Sequence, residues 1–113
     1  SAGAVLRNPD RGGAMRLVQK SLFKGTREFE LLDDEVRVRI KSLFHKKELT
    51  VTLAILNPEP VVNTARLEFY SRVKCGPLLS LYLNKPNARE FNAFVEALKQ
   101  KALKEYNAFA GIR

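Results

Sequence analysis

Between residues 26 and 83 the apolar side chains recur at every second position, and beyond Pro86 they recur every three to four. Alternation at a period of two sends successive side chains to opposite faces of a strand, whereas a period of about 3.6 gathers them into one stripe on a helix. The chain is therefore read as consecutive antiparallel strands followed by one terminal helix, an α+β order rather than an alternating α/β one. The strongest strand signal is ELTVTLAIL, with Leu49, Val51, Leu53 and Ile55 facing inward and Thr50 and Thr52 outward. Before it, residues 36–44 place Val36, Val38, Ile40 and Phe44 on one face, which leaves Arg37, Arg39 and Lys41 on the other. Residues 26–32 set Phe29 and Leu31 against Arg27, Glu28 and Glu30, and Asp33 and Asp34 supply turn chemistry. A first strand is expected over residues 17–23, stopped by Lys24 and Gly25.

Asn57-Pro58-Glu59-Pro60 ends the strong strand, because proline lacks the donor a ladder needs and restricts the residue before it. Residues 61–72 follow as one extended segment with Leu67 and Phe69 opposing Arg66, Glu68 and Tyr70, and after the turn KCGP an inward row of Leu79, Leu81 and Leu83 is expected. Asn87 then stands where a helix N-cap belongs, with Glu90 three residues on, as in a capping box. Phe91, Phe94, Val95, Leu98, Ala102, Tyr106 and Phe109 share one helical stripe, and Gly111 is the expected stop.

A chain of 113 residues is the size of one domain. With 45% hydrophobic and 28% charged residues, neither a disordered nor a fibrous chain is expected. No stretch approaches the roughly 18 apolar residues of a membrane-spanning helix, and Ala4, Val5 and Leu6 are too few for the apolar core of a secretion signal. Residues 1–14 are read as a flexible leader or in part a cloning remnant, and residues 15–113 as a single domain. Cys75 is the sole cysteine, so no internal disulfide is possible and a cytoplasmic location is expected.

The order of elements resembles the pleckstrin-homology-like (PH-like) superfold over roughly residues 16–109. The resemblance is carried by TREFELLDDEVRVRI as an early hairpin and NAREFNAFVEALKQKA as a terminal plug. It implies a strongly bent antiparallel sheet or barrel of six to seven strands, capped by the C-terminal helix; six strands are evident, so a seventh comes from splitting residues 61–72 or is absent. The alternative is an open curved antiparallel sheet packed on one helix. No tryptophan is present, and Phe91 and Phe94 are offered where eukaryotic members usually carry one in that helix. The phosphoinositide-binding members carry a lysine at the end of the first strand and two basic residues in the second. Lys20 and Arg27 fit two of these places, with Phe29 in the third, and a shifted alignment uses Lys24, Arg37 and Arg39. Such a fold hosts lipid-binding, protein-binding and unassigned modules alike, so the resemblance does not by itself name a ligand.

Catalysis needs a nucleophile, a base and an orienting group brought together. This chain has one His and one Cys, neither in a known signature, and is read as non-enzymatic. His45 is expected at a solvated corner and Cys75 in a turn, where Lys74 beside it would favour the thiolate. The acidic turn of Asp33, Asp34 and Glu35 lacks a calcium-loop pattern, and the glycines form no phosphate loop. No metal or cofactor is expected.

Twenty Lys and Arg against twelve Asp and Glu give a net charge of +8, and residues 35–47, with five cations and one Glu, supply +4 of it. The candidate site is accordingly a basic patch of Arg37, Arg39, Lys41, Lys46 and Lys47, extended by Lys20, Lys24 and Arg27. Its expected partner is an acidic protein or the anionic head groups of a membrane surface. Nucleic-acid phosphates are the alternative, with Tyr70 and Tyr82 as the exposed aromatics that could stack bases. A third reading is protein interaction through a sheet edge or the helix end, where Phe109 and Ile112 could form an apolar patch. Against all of these, the cations would be a solvated face that keeps strand edges from pairing.

Overall fold

The computed structural model describes Val5, Leu6 and residues 15–110, with side chains over residues 15–108. The alternating segments fold as β1 (Val5–Leu6), β2 (Met15–Ser21), β3 (Gly25–Leu31), β4 (Glu35–Lys41) and β5 (Lys46–Thr52). These form one antiparallel sheet in the order β1-β2-β3-β4-β5. A 3-10 turn at Leu53–Ile55 follows, and then β6 (Val61–Asn63), β7 (Arg66–Tyr70) and β8 (Pro77–Tyr82) make a second antiparallel sheet. The helix α1 (Ala88–Ala110) ends the described chain.

The α+β order is as expected, but the sheet is neither a closed barrel nor a single open sheet. The strands divide between two separate sheets. One break lies at residues 53–60, where the β4–β5 pairing ends with Leu53 N–H donating to the Asp34 carbonyl (3.0 Å), the chain enters the 3-10 turn and the two prolines bar resumed pairing. The chain then meets the end of β7 instead, through Asn57 N–H to the Tyr70 carbonyl (2.8 Å) and Arg72 N–H to the Ile55 carbonyl (2.7 Å).

The other break lies between β2 and β8. There a side chain replaces the ladder. Gln19, fully buried, donates from Nε2 to the carbonyls of Tyr82 (2.8 Å) and Lys85 (2.9 Å), and its Oε1 accepts from Tyr82 N–H (2.8 Å). Both amide hydrogens and the amide oxygen are thus satisfied, as burial of a carboxamide demands.

Residues 61–72 do not run as one extended segment but split into two strands, the alternative that a seventh strand required. Thr64, at φ 61, turns the chain back with Ala65, so that Val61 pairs with Glu68 and Asn63 with Arg66. A left-handed β-branched residue is unusual, and alternation alone could not reveal it. The first full strand also begins and ends earlier than residues 17–23, since Leu22 and Phe23 lie in the turn after β2. Of the expected leader, Val5 and Leu6 pair with Arg16 and Met15, and the remainder lies outside the described residues.

The core lies between both sheets and the helix. Leu17, Phe29, Leu31, Val36, Val38 and Val51 come from the first sheet, Leu53 and Leu56 from the crossing, and Leu67, Phe69, Leu79 and Leu81 from the second. Phe91, Phe94, Val95, Leu98 and Ala102 close it from α1, with the Phe94 ring tilted 54° against Phe29 at 6.3 Å. The helix starts as its sequence predicts: Glu90 N–H donates to Asn87 Oδ1 (2.9 Å) and Asn87 Nδ2 donates to Glu90 Oε2 (2.9 Å). Further along, Arg72 lies over the Tyr106 ring at 3.9 Å and donates to the Ala54 carbonyl, tying helix to crossing.

Replacing Gln19 by Met keeps the volume but strips Tyr82 N–H and two carbonyls of their partners. A loss of about 3 kcal/mol in urea unfolding is expected. A loss below about 1 kcal/mol would mean that the two sheets do not depend on this amide.

Candidate binding surface at the hairpin end of the first sheet

Strand register sets three full rows across the outward face of β2 to β5, with Glu35 and Thr52 beyond them at the Asp33–Asp34 end. Arg16, Glu30, Arg37 and Thr50 form one, and Val18, Glu28, Arg39 and Glu48 form the next. Lys20, Thr26, Lys41 and Lys46 form the third. In the first two rows acids and bases alternate. Arg16 lies 3.0 Å from Glu28 and 3.6 Å from Glu30, Arg37 lies 3.0 Å from Glu35, and Arg39 lies 3.1 Å from Glu48. The hydrogen bond and charge of Glu48, helped by Glu28 and Glu30, hold the Arg39 guanidinium even further above its ordinary value. Arg37 and Arg39 are therefore members of a balanced charge lattice. The third row differs, with three lysines, no acid, and Lys41 directly opposite Lys46.

That row borders two hairpin tips at one end of the sheet. The β2–β3 tip carries Leu22 and Phe23, 96% and 95% exposed, and the β4–β5 tip carries Leu43 and Phe44, 87% and 85% exposed. Phe44 is thus not part of the inward row with Val36, Val38 and Ile40. Strand β4 stops at Lys41, and Ser42 N–H donates to the His45 carbonyl (2.8 Å), closing the turn before Phe44 can follow the alternation. In the other tip Lys24 N–H donates to Ser21 Oγ (3.3 Å). Gly25 holds the tips side by side: at φ +86, a Cβ there would stand 1.9 Å from the Lys41 carbonyl oxygen. Leaving a Leu or Phe side chain in water forgoes about 1.5–3 kcal/mol of burial. Four such residues at one end of a small domain are a substantial unrecovered stabilisation.

Five of the eight sequence-predicted cations come together here. Lys20, Lys24, Lys41, Lys46 and Lys47 are exposed and make no ion pair among the described residues, Lys47 on the opposite face of β5 from Lys46. Arg37 and Arg39 stand further down the sheet in their ion pairs. Arg27 is turned to the inner face, where its Nη1 donates to the Ser80 carbonyl (3.1 Å) and its guanidinium covers the Tyr82 ring at 5.1 Å. Sequence reasoning missed Leu22, Phe23, Leu43 and Phe44. The signal was present as a repeated tetrapeptide, Lys-Ser-Leu-Phe, at residues 20–23 and again at 41–44.

Tyr70 and Tyr82 are not open stacking platforms. The Tyr82 ring is half-buried beneath Arg27 and Arg66, the latter at 5.9 Å, and the Tyr70 hydroxyl donates to Glu68 Oε1 (3.1 Å). His45 is exposed in the second tip and Cys75 in the loop between β7 and β8. Among the described residues no three His, Cys, Asp or Glu side chains are grouped to hold a metal ion. The side chains of Phe109 and Ile112 lie outside the described residues. No family model, curated protein or solved structure matches the chain.

Two outcomes check these assignments. Gly25→Ala forces the tips apart or strains the backbone, and a drop of at least about 2 kcal/mol in unfolding free energy is expected. An unchanged midpoint would mean that the close approach is dispensable. The Glu68 carboxylate, by its hydrogen bond and its charge and with help from burial, raises the Tyr70 phenol above its ordinary value. Its contribution to stability is present below the unfolded phenol's pKa and is lost as pH rises through the raised one. In alkaline ultraviolet titration, Glu68→Gln should bring this late ionisation down; an unaltered curve would dismiss the contact.

Proposed function

We propose that this chain is a non-catalytic, PH-like binding module that meets an acidic partner with the hairpin end of its first sheet. The observation that carries the reading is the row Lys20, Lys41 and Lys46. Like charges placed directly across a strand pair lower stability, and this row keeps them without an acid while the neighbouring rows are balanced. An incoming anion relieves that repulsion. Lys24 and Lys47 add to the same end. The order of antiparallel strands and a C-terminal helix supports the PH-like resemblance, and the division into two sheets departs from the closed form of it.

Each cation near an anionic surface contributes about 1 kcal/mol, and salt screens such charges over about 8 Å at physiological ionic strength. Binding by five lysines is therefore reversible and falls with salt. A cytoplasmic setting fits, because the cytoplasmic leaflet and most acidic macromolecules are found there. Nucleic acid ranks below an acidic protein or anionic head groups, since the two tyrosines that could stack bases are engaged with Arg27, Arg66 and Glu68.

The triple variant K20Q/K41Q/K46Q separates this reading from a merely solvated face. Affinity for heparin and for phosphatidylserine vesicles should fall on the order of 100-fold, while stability rises by a few tenths of a kcal/mol or more as the repulsion is removed. R37Q/R39Q, which touches only the balanced lattice, should cost less than about tenfold in affinity. Equal losses from the two variants, or none from the first, would remove the proposal.

A further inference from the structure

We infer that the acidic partner is a lipid bilayer, and that the two Lys-Ser-Leu-Phe tips enter its interface together. This rests on the binding surface proposed above and adds to it the four apolar residues that electrostatics alone leaves unused. Each tip has the same layering. Leu22 and Phe23 stand foremost with Lys20 and Lys24 just behind, and Leu43 and Phe44 stand foremost with Lys41, Lys46 and Lys47 just behind. A membrane presents the complementary order in depth, with phosphates outside and acyl chains within, and lysine stems can reach back from apolar surroundings to the head groups.

Other occupants fit less well. A second copy of the chain would set five lysines against five lysines. A nucleic acid could stack on Phe23 and Phe44 but offers no apolar counterpart to Leu22 and Leu43, which have no ring to stack. An acidic protein would need two apolar pits at the spacing of the tips within an anionic rim. The turns themselves suit a shallow apolar environment, because Ser42 N–H and Lys24 N–H are satisfied within their own tips by the His45 carbonyl and Ser21 Oγ.

The chain contains no Trp, so F23W and F44W each introduce a single fluorescent reporter at a tip. With phosphatidylserine-containing vesicles, both should show blue-shifted emission and quenching by brominated acyl chains. Neither should shift with heparin, an oligonucleotide or polyglutamate. In the chain without reporters, L22S/F23S/L43S/F44S should lower partitioning into the same vesicles on the order of 100-fold while retention on heparin stays within about twofold. Because all four residues are exposed, folding does not depend on them. Salt-dependent vesicle binding without an emission shift, or an undiminished serine variant, overturns insertion and leaves the acidic-partner reading standing. A shift on the oligonucleotide or polyglutamate instead reassigns the partner to that class. Failure of the unaltered chain to bind any anionic probe overturns both readings.

Discussion

The carboxamide of Gln19 links the two sheets at the centre of the fold. It stands where a strand-to-strand ladder between β2 and β8 would otherwise run, and its three hydrogen bonds meet the backbone of Tyr82 and Lys85. A buried polar group must be fully satisfied or it destabilises, so the position of β8 is specified at one point on β2. The helix then covers the core that this junction leaves open, through Phe91, Phe94 and Leu98. Arg27, next to Gln19 on the inner face, reinforces the junction by reaching the Ser80 carbonyl. A cation that looked like part of a ligand surface is in this way committed to structure.

Burial was the most legible property of the sequence. Phe29, Leu31, Val36, Val38 and Val51 fall inside as their alternation requires, and the stripe from Phe91 to Ala102 is buried on α1. Asn87 and Glu90 cap the helix because capping depends only on local spacing. What escaped were features set by hydrogen bonds and register rather than by hydropathy. Phe44 kept the parity of a core residue, but a backbone bond from Ser42 ends the strand first. Thr64 folds back a segment whose composition reads as continuous strand. The pairing of Arg37 and Arg39 with Glu35 and Glu48 follows from side-chain placement and register, which residue types alone do not supply.

The outward face of the first sheet thus has two electrostatic regimes along one set of strands. Toward the Asp33–Asp34 turn, acids from β3, β4 and β5 balance the arginines. Toward the hairpin tips the acids stop and lysines replace arginines. Arginine suits fixed, planar pairing with carboxylates, whereas lysine is a flexible, strongly hydrated point charge. The change of residue type coincides with the change from internal pairing to an open surface. Of the candidate patch, the lysines were therefore legible as cations but not as a group distinct from the arginines.

Gly25 carries a consequence of another kind. By packing β3 closely against Lys41 it sets the two tips on one sheet, about 10 Å apart if each strand spacing is about 4.8 Å. Once one tip is engaged, the other is already within reach and its contact is intramolecular, at an effective concentration that no free second molecule would match. Two individually brief contacts would then give a long residence time, because release requires both to fail together. Under the proposed insertion, the repeated tetrapeptide would make this small domain bivalent toward a single surface.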